Sequence, residues 1–287
     1  MKKIKTMRND FAIIILSYNR ANSFYTLKTL TKAGYTGKYY IVVSDDDPML
    51  VEYKKYYGNK LIIFNKQDIK PYCDTYDNSG SDKIVLYARN ICFDIAKQLG
   101  LKYFLELDDD YIELAYRYPK DGKLKICNIK EFDKIVDIFI DFLNDTNATS
   151  VAFAQHGDFI GGVQNDFIQK RIKRKAMNSF FCRTDKPFQF YGRINEDVNA
   201  YVRLGTIGEL FFTVCDVSLK QQHTQQKKGG LTEIYNDEGT YLKSFYTVLA
   251  NPNCTTIQAM GDKHIRLHHR INWNYAVPKI ISDKYKK

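Results

Sequence analysis

Continuous apolar runs alternate with amphipathic stretches through the first third of the chain. Phe11 to Leu16, "FAIIIL", has no polar interruption, as expected of a strand covered on both faces. Ala21 to Lys32 predicts a helix that stops at Gly34. "YYIVVS" from Tyr39 and "KLIIFN" from Lys60 predict two more buried strands. Lys66 to Asp82 is polar and turn-rich, so an irregular surface loop is expected there. Ile84 to Leu99 has apolar residues at helical spacing and ends at Gly100, and "KYFLEL" follows as a strand. This β-α-β alternation predicts a mostly parallel sheet.

The pattern changes after Tyr111. "NIKEFDKIVDIFIDFL", Asn128 to Leu143, reads as an amphipathic helix opened by a capping box of Asn128 and Glu131, with Phe132, Ile135, Val136, Phe139 and Phe142 on its apolar face. Beyond it come short mixed elements, many aromatics and the pairs Gly161-Gly162 and Gly229-Gly230. No repeat or low-complexity linker is visible. The expectation is one α/β domain, with a Rossmann-like nucleotide-binding half over about residues 8–115 and a mixed α+β acceptor half over about 116–287.

Ligands of such sheets bind beyond the carboxyl ends of the strands. Ser17, Asp45 to Asp47 and Asp108 to Asp110 all fall there. Two acid triplets at strand ends point to a positively charged ligand. Asp108 and Asp110, spaced i and i+2, can converge on a hard cation such as Mg²⁺ or Mn²⁺ that is shared with substrate phosphates. A solvated acidic turn is the plain alternative, as is a structural turn at Pro48 for the first triplet. Glu196 and Asp197 follow Asn195 at a helix start, where acids suit the helix dipole without any catalytic role.

The formal net charge of +10 favours an anionic partner, although biased coding composition would give the same excess of lysine. "QKRIKRKAMNSFF" places Arg171, Lys173, Arg174 and Lys175 before aromatics, which suits contact with a DNA phosphate backbone or a solvated surface. Lys227 and Lys228, before the second glycine pair, form a further anion-contacting candidate. His264, Arg266 and His268 would share one face of a strand. The six cysteines include no C-x-x-C pair, which argues against a zinc ribbon and against a dense disulfide scaffold. The short apolar run near the N-terminus is expected to be a strand and not a signal peptide, and no run reaches membrane-spanning length. A cytoplasmic protein is expected.

Together "AIIILSYNR", "ARN" (Ala88 to Asn90), "ELDDDY", "EDVNAY" and "TQQKKGGLTEIYNDEGTYLKSFY" resemble glycosyltransferases of the GT-A fold, and specifically the phage enzymes associated with TET/JBP-type base hydroxylases. The resemblance runs from about Phe11 to Trp273. It implies a nucleotide-sugar donor, UDP-sugar by expectation, cradled by Ser17, Tyr18, Asn19, Arg20, Arg89 and Arg266. Asp45, Asp46 and Asp47 would meet the nucleoside, and Asp109 the sugar. Asp108 and Asp110 would hold Mn²⁺ or Mg²⁺, completed by His268 or His264. If the reaction inverts configuration, Asp197, or Glu196 as second choice, would deprotonate the acceptor, while inversion and retention both stay open. The implied acceptor is double-stranded DNA bearing hydroxymethylated pyrimidines. A protein, glycan or small-molecule acceptor, an inactive nucleic-acid-binding protein and a metal-dependent nuclease are the rivals.

Overall fold

The computed structural model describes residues 8–170, 172–222, 242–260 and 265–276. The predicted first strand, β1 (Phe11–Leu16), lies inside a ten-stranded sheet with parallel neighbours on both sides. β2 (Lys38–Ser44) and β3 (Leu61–Phe64) follow outward on one side, and β4 (Tyr103–Asp108) pairs on the other with Leu16 opposite Asp108. The unbroken apolar run of β1 feeds two cores. Ala12, Ile14 and Leu16 join the one on the face of α4 (Leu86–Gln98), while Phe11, Ile13 and Ile15 join the one on the face of α5 (Phe132–Thr146). A helix layer on each face requires such a strand, because neither face meets water.

The second half continues the same sheet with mixed direction. β5 (Tyr111–Lys120) and β6 (Lys123–Asn128) form its edge hairpin. β7 (Ser150–Gln155) runs parallel to β10 (Phe211–Gln221), and β9 (Ser179–Arg183) runs antiparallel to both β4 and β7. The two-residue β8 (Ile172–Lys173) pairs with β10. In order the path is β3-β2-β1-β4-β9-β7-β10-β5-β6. A separate ribbon joins β11 (Thr255–Met260) to β12 (Arg266–Ile271). The sheet thus joins a parallel half, β3-β2-β1-β4, to a half of mixed direction, an α/β architecture as expected.

One feature of the order places the acids. Asp109 and Asp110 alone separate β4 from β5, yet three strands lie between those two in the sheet. At about 4.8 Å per neighbour that gap is roughly 19 Å, whereas three peptide steps reach about 11 Å at most. The sheet must therefore part. It does so where β7 and β9 pair only at Ser150 with Cys182 and Val151 with Phe181. The aspartate triplet crosses the parting at the carboxyl ends.

Several predicted boundaries shift. The first helix, α1, spans Thr26–Lys32 and does not begin at Ala21, because the Asp109 carbonyl accepts the N–H groups of Tyr25 and Thr26 and fixes the helix start there. Lys66 to Asp82 is not wholly irregular. It contains a short helix, α3 (Lys66–Ile69), capped by the Asn65 side chain. The capping box of Asn128 and Glu131 does not form. Asn128 ends β6 opposite Ala115, and Glu131 occupies the N-cap without a side-chain bond, pairing instead with Lys134. The remaining helices are α2 (Leu50–Tyr57), α6 (Asp166–Lys170), α7 (Glu196–Thr206), α8 (residues 242–250) and α9 (Trp273–Ala276). Among the described residues no helix is long and apolar enough to cross a membrane.

Candidate active site

The carboxyl ends of β1, β3 and β4 open into a cleft of about 320 Å³. Ser17, Tyr18 and Arg20 form one wall just past β1. Asp108, Asp109 and Asp110 form the floor, and the start of α7 with Glu196 and Asp197 closes a further side. Residues nearly 180 positions apart in sequence thus face one space.

Arg89, on α4 and 2% exposed, ties the acids together. Its Nη1 donates to Glu106 at 2.6 Å, Nη2 to Asp108 at 3.1 Å and Nε to Glu196 at 2.7 Å. Burial alone would pull its pKa down, but Asp108, Glu196 and Glu106 outweigh that and hold it well above the usual value. Glu106 is nevertheless pushed up to about 7, since total burial outweighs its pair with Arg89. The expectation that Arg89 meets the donor is thereby redirected: its nitrogens are spent on neighbouring carboxylates, although it borders the cleft.

The three aspartates have different surroundings. Asp109 is buried and accepts from Ser17 Oγ and from Arg20 Nη1, the latter at 2.9 Å. Burial raises its pKa even against those partners. Asp108 and Asp110 both accept from the Gln221 amide, at 3.2 and 3.4 Å. Burial, then Asp108 and Asp109, push Asp110 up to about 7. A carboxyl held that far above its ordinary range gains most from a cation placed beside it.

The metal fit is therefore a two-carboxylate one. Oxygen donors in charge excess suit Mg²⁺ or Mn²⁺, which commonly takes one or two carboxylates and completes its shell from substrate phosphates and water. Among the described residues no group of three or more His, Cys, Asp or Glu side chains is arranged to hold a metal ion. His268 borders the same cleft without joining such a group. His264 lies outside the described residues, and Arg266 is placed only as the first residue of β12.

At the base candidates, Asn195 sits at the N-cap of α7 but in a left-handed conformation, with no capping bond from its side chain. Its amide donates instead to the Lys243 carbonyl and to Thr247 Oγ1, fastening α7 to α8. Glu196 is held by Arg89. Asp197 accepts from the Val198 N–H at 2.7 Å and has the Lys243 charge nearby. Both carboxyls are raised above their ordinary values, first by burial.

The first acid triplet has a different part. Asp45 accepts from the Lys66 N–H, and Asp46 pairs with the Lys66 ammonium and Ser44. Asp47, buried, accepts from Asn19 N–H at 2.9 Å and Met49 N–H at 2.8 Å, holding Asn19 at φ 55. None of these three aspartates, nor Asn19, forms the cleft wall, whereas the buried Lys66 and Ser44 do. The basic cluster is also engaged within the fold. Lys173 lies 4.8 Å over the Phe167 ring, Arg174 donates to the Glu209 carbonyl at 3.4 Å, and Lys175 pairs with Asp158. Arg171, Lys227 and Lys228 lie outside the described residues.

The structure adds wall residues that the sequence reading missed. Lys66 lies two residues past the end of β3, so the strand-end rule that picked out Ser17 would have found it. Gln221, Asn178 and Lys243 carry no local signal. His269 lines the cleft beside His268, with ring centroids 4.5 Å apart, and burial pushes it down to about 4.

Compared with known families, the chain matches the model of the TET-associated glycosyltransferases over residues 11–230. Curated protein sequences return no match. Among solved structures, TarS 1–349 of S. aureus aligns at TM-score 0.41 and 17% identity, covering 84% of this chain and 66% of that one. This chain spans 40% of the longer TarS structure. The mannosyltransferase PcManGT from Pyrobaculum calidifontis, solved with GDP-Man and Mn²⁺, aligns at 0.43 and 11% identity over 86% and 75% of the two chains. Glucosyl-3-phosphoglycerate synthase from Mycobacterium tuberculosis aligns at 0.41 and 9% identity over 91% and 86%.

Proposed function

The chain belongs to the TET-associated glycosyltransferases, and from that premise we propose that it moves a sugar from a nucleotide-sugar donor, a UDP-sugar, to a hydroxymethylated pyrimidine in DNA with the help of a divalent cation. The observation that carries the reading is the convergence of Asp108, Asp110 and Asp197 on one cleft at the carboxyl ends of the sheet. Asp108 and Asp110 are the residues that would hold Mn²⁺ or Mg²⁺. A bound cation supplies charge neutralisation for the departing nucleoside diphosphate.

The chain's own residues do the rest. Ser17, Tyr18 and Arg20 bind the nucleotide, with Lys66 as a second positive charge on the same wall. Asp109, clamped by Ser17 and Arg20, keeps that wall in place. Asp197 takes the proton from the acceptor hydroxyl. A carboxyl raised by burial is a better base than a free one, and Glu196 is less available because Arg89 holds it. His269, neutral near pH 7, adds a polar group to the wall without adding charge.

The test is transfer to hydroxymethylated DNA from a panel of nucleotide-sugars, read by nucleoside mass. A hexose or pentose increment is expected, lost in EDTA and restored by Mn²⁺ or Mg²⁺. Asp110→Asn should abolish donor turnover, because an amide is a poor ligand for a hard cation. Asp197→Asn should keep donor binding and lose transfer by about 10²-fold or more. Full activity in EDTA would remove the metal from the reading, and transfer only to a protein, glycan or free nucleoside would remove DNA from it.

A further inference from the structure

Some distance along α7 from the cleft lies a second recess of about 440 Å³, walled by Tyr76, Arg203, Thr206, Leu249, Asn251 and Asn253. We infer that this recess is a second nucleotide subsite, taking the base and phosphate of an acceptor-strand residue about three steps from the one that is modified. The inference rests on the DNA reading above and names where that DNA is held outside the reaction cleft.

The recess is a built platform. The rings of Tyr76 and Tyr191 lie within 9° of parallel, with centroids 6.4 Å apart. The Arg203 guanidinium covers the Tyr191 ring at 4.1 Å and donates through Nη1 to Tyr76 Oη at 3.0 Å. Stacked aromatic and guanidinium planes are the surfaces on which bases of open strands rest, whatever their sequence. Beyond that one bond, the N–H donors of Arg203 have no partner among the described residues, and the side chain is exposed. It can therefore meet a phosphate. Asn251 is buried at the wall, and its Nδ2 has no hydrogen-bond partner among the described residues. An amide left so is a donor for the edge of a base.

The backbone is bent to make this platform. Tyr76 has φ 63, a left-handed conformation that an aromatic residue rarely adopts and that the surroundings must enforce. They do so through Asp74, which accepts the Tyr76 N–H at 3.0 Å and whose carbonyl accepts the Gly192 N–H at 2.8 Å. The buried Arg193 then ties down Asp77, Ser79 and Ser81. Gly192, at φ 87, is where a side chain would strike both the Tyr76 ring and Asn199. From Glu196 to Arg203 is seven residues of helix, about 10 Å. At 3.4 Å per nucleotide along one strand, that is about three nucleotide steps.

Binding and transfer test the subsite together. Wild type, Tyr76→Ala, Tyr76→Phe and Arg203→Ala are titrated by fluorescence anisotropy against an unmodified oligonucleotide. Each is then assayed with a hydroxymethylated oligonucleotide and with the free hydroxymethyl nucleoside. The two alanine variants should bind the oligonucleotide about 10-fold to 100-fold more weakly, the range given by losing one stacked base. Their KM for the oligonucleotide should rise, while donor hydrolysis stays at the wild-type rate. Tyr76→Phe should bind nearly as wild type. If Tyr76→Ala fails to fold, Arg203→Ala, at an exposed position, carries the same expectation. Oligonucleotide binding and KM unchanged in Arg203→Ala overturn the subsite and leave the DNA reading standing. Equal losses on oligonucleotide and free nucleoside overturn it too, as damage to the reaction cleft. Wild type that binds no oligonucleotide at low salt overturns both.

Discussion

At the scale of single residues, the arrangement turns on how three carboxylates are kept together without a solvent shell. Arg89 serves Glu106, Asp108 and Glu196 with three different nitrogens, a geometry that the planar guanidinium permits and a lysine ammonium does not. Removing one partner of a buried ion pair leaves the other charge uncompensated and costs about 3–5 kcal/mol. Arg89→Met should therefore lower unfolding free energy by at least that scale in a urea titration. Arg89→Lys should fold with a lower midpoint and lose transfer, since Asp108 and Glu196 are no longer held in one arrangement. A lysine variant with wild-type midpoint and wild-type rate would show that Arg89 fills space and does not position the acids. Asp109 and Arg20 form a smaller version of the same device on the opposite wall.

Among the elements, α5 shows how a correct reading of an apolar face can coexist with a wrong reading of its start. Phe132, Ile135, Val136 and Phe139 are buried as the helical spacing demands, Phe142 packs half-buried against the same core, Ile140 and Leu143 join them, and Phe139 lies 5.0 and 4.9 Å from the rings of Phe153 and Phe181. The helix start, however, is set from outside, where the Phe132 N–H donates to the Ala33 carbonyl. Gly34, at φ +82, is placed so that a Cβ would strike the Lys130 carbonyl oxygen. That contact locks the turn after α1 to the segment before α5. Gly34→Ala combines left-handed strain with a backbone clash, so it should destabilise by more than about 1 kcal/mol, beyond the ordinary cost of a misfit alanine. Thermal melting checks it, and an unchanged midpoint would mean that the two segments can move apart freely. An equivalent change at Gly100, where a Cβ meets nothing within 4 Å, carries only the φ penalty and serves as the control.

For the whole molecule, the clustered acids make stability depend on pH in an unusual direction. Asp110 and Glu106 are raised to about 7 in the fold, against about 4 in the unfolded chain. Between those values the folded state holds protons that the unfolded state has released, so stability falls as pH rises from about 4 to about 7. His269, pushed down to about 4, acts in the opposite sense and costs stability below its ordinary value near 6.5. The acid contribution is isolated by comparison with Asp110→Asn. In EDTA the wild-type melting temperature should decline relative to the variant from pH 5 to pH 8. Mn²⁺ should raise the wild type more at pH 8 than at pH 5, because a cation competes with protons for the same oxygens. Parallel pH curves for the two proteins in EDTA would contradict the shift at Asp110.

The sequence by itself determined the strands that bury both faces, the sign and place of the acid triplet after β4, and the apolar face of α5, because each is written in local periodicity and in residues adjacent in the chain. It also marked Asp197 and Glu196 at a helix start. Only the tertiary structure decided which acids meet. The parting of the sheet between β7 and β9 brings Asp108 to Asp110 across the carboxyl edge, and the Asn195 amide anchors α7 to α8 so that its acids face them. The same long-range packing turned Asp47 into a brace for the loop at Asn19, occupied Lys173, Arg174 and Lys175 with partners inside the fold, and brought Gln221 between two aspartates more than a hundred residues away. Charge and spacing along the chain say what a side chain can do. Which partner it does it with depends on contacts between distant segments, and no local pattern records those.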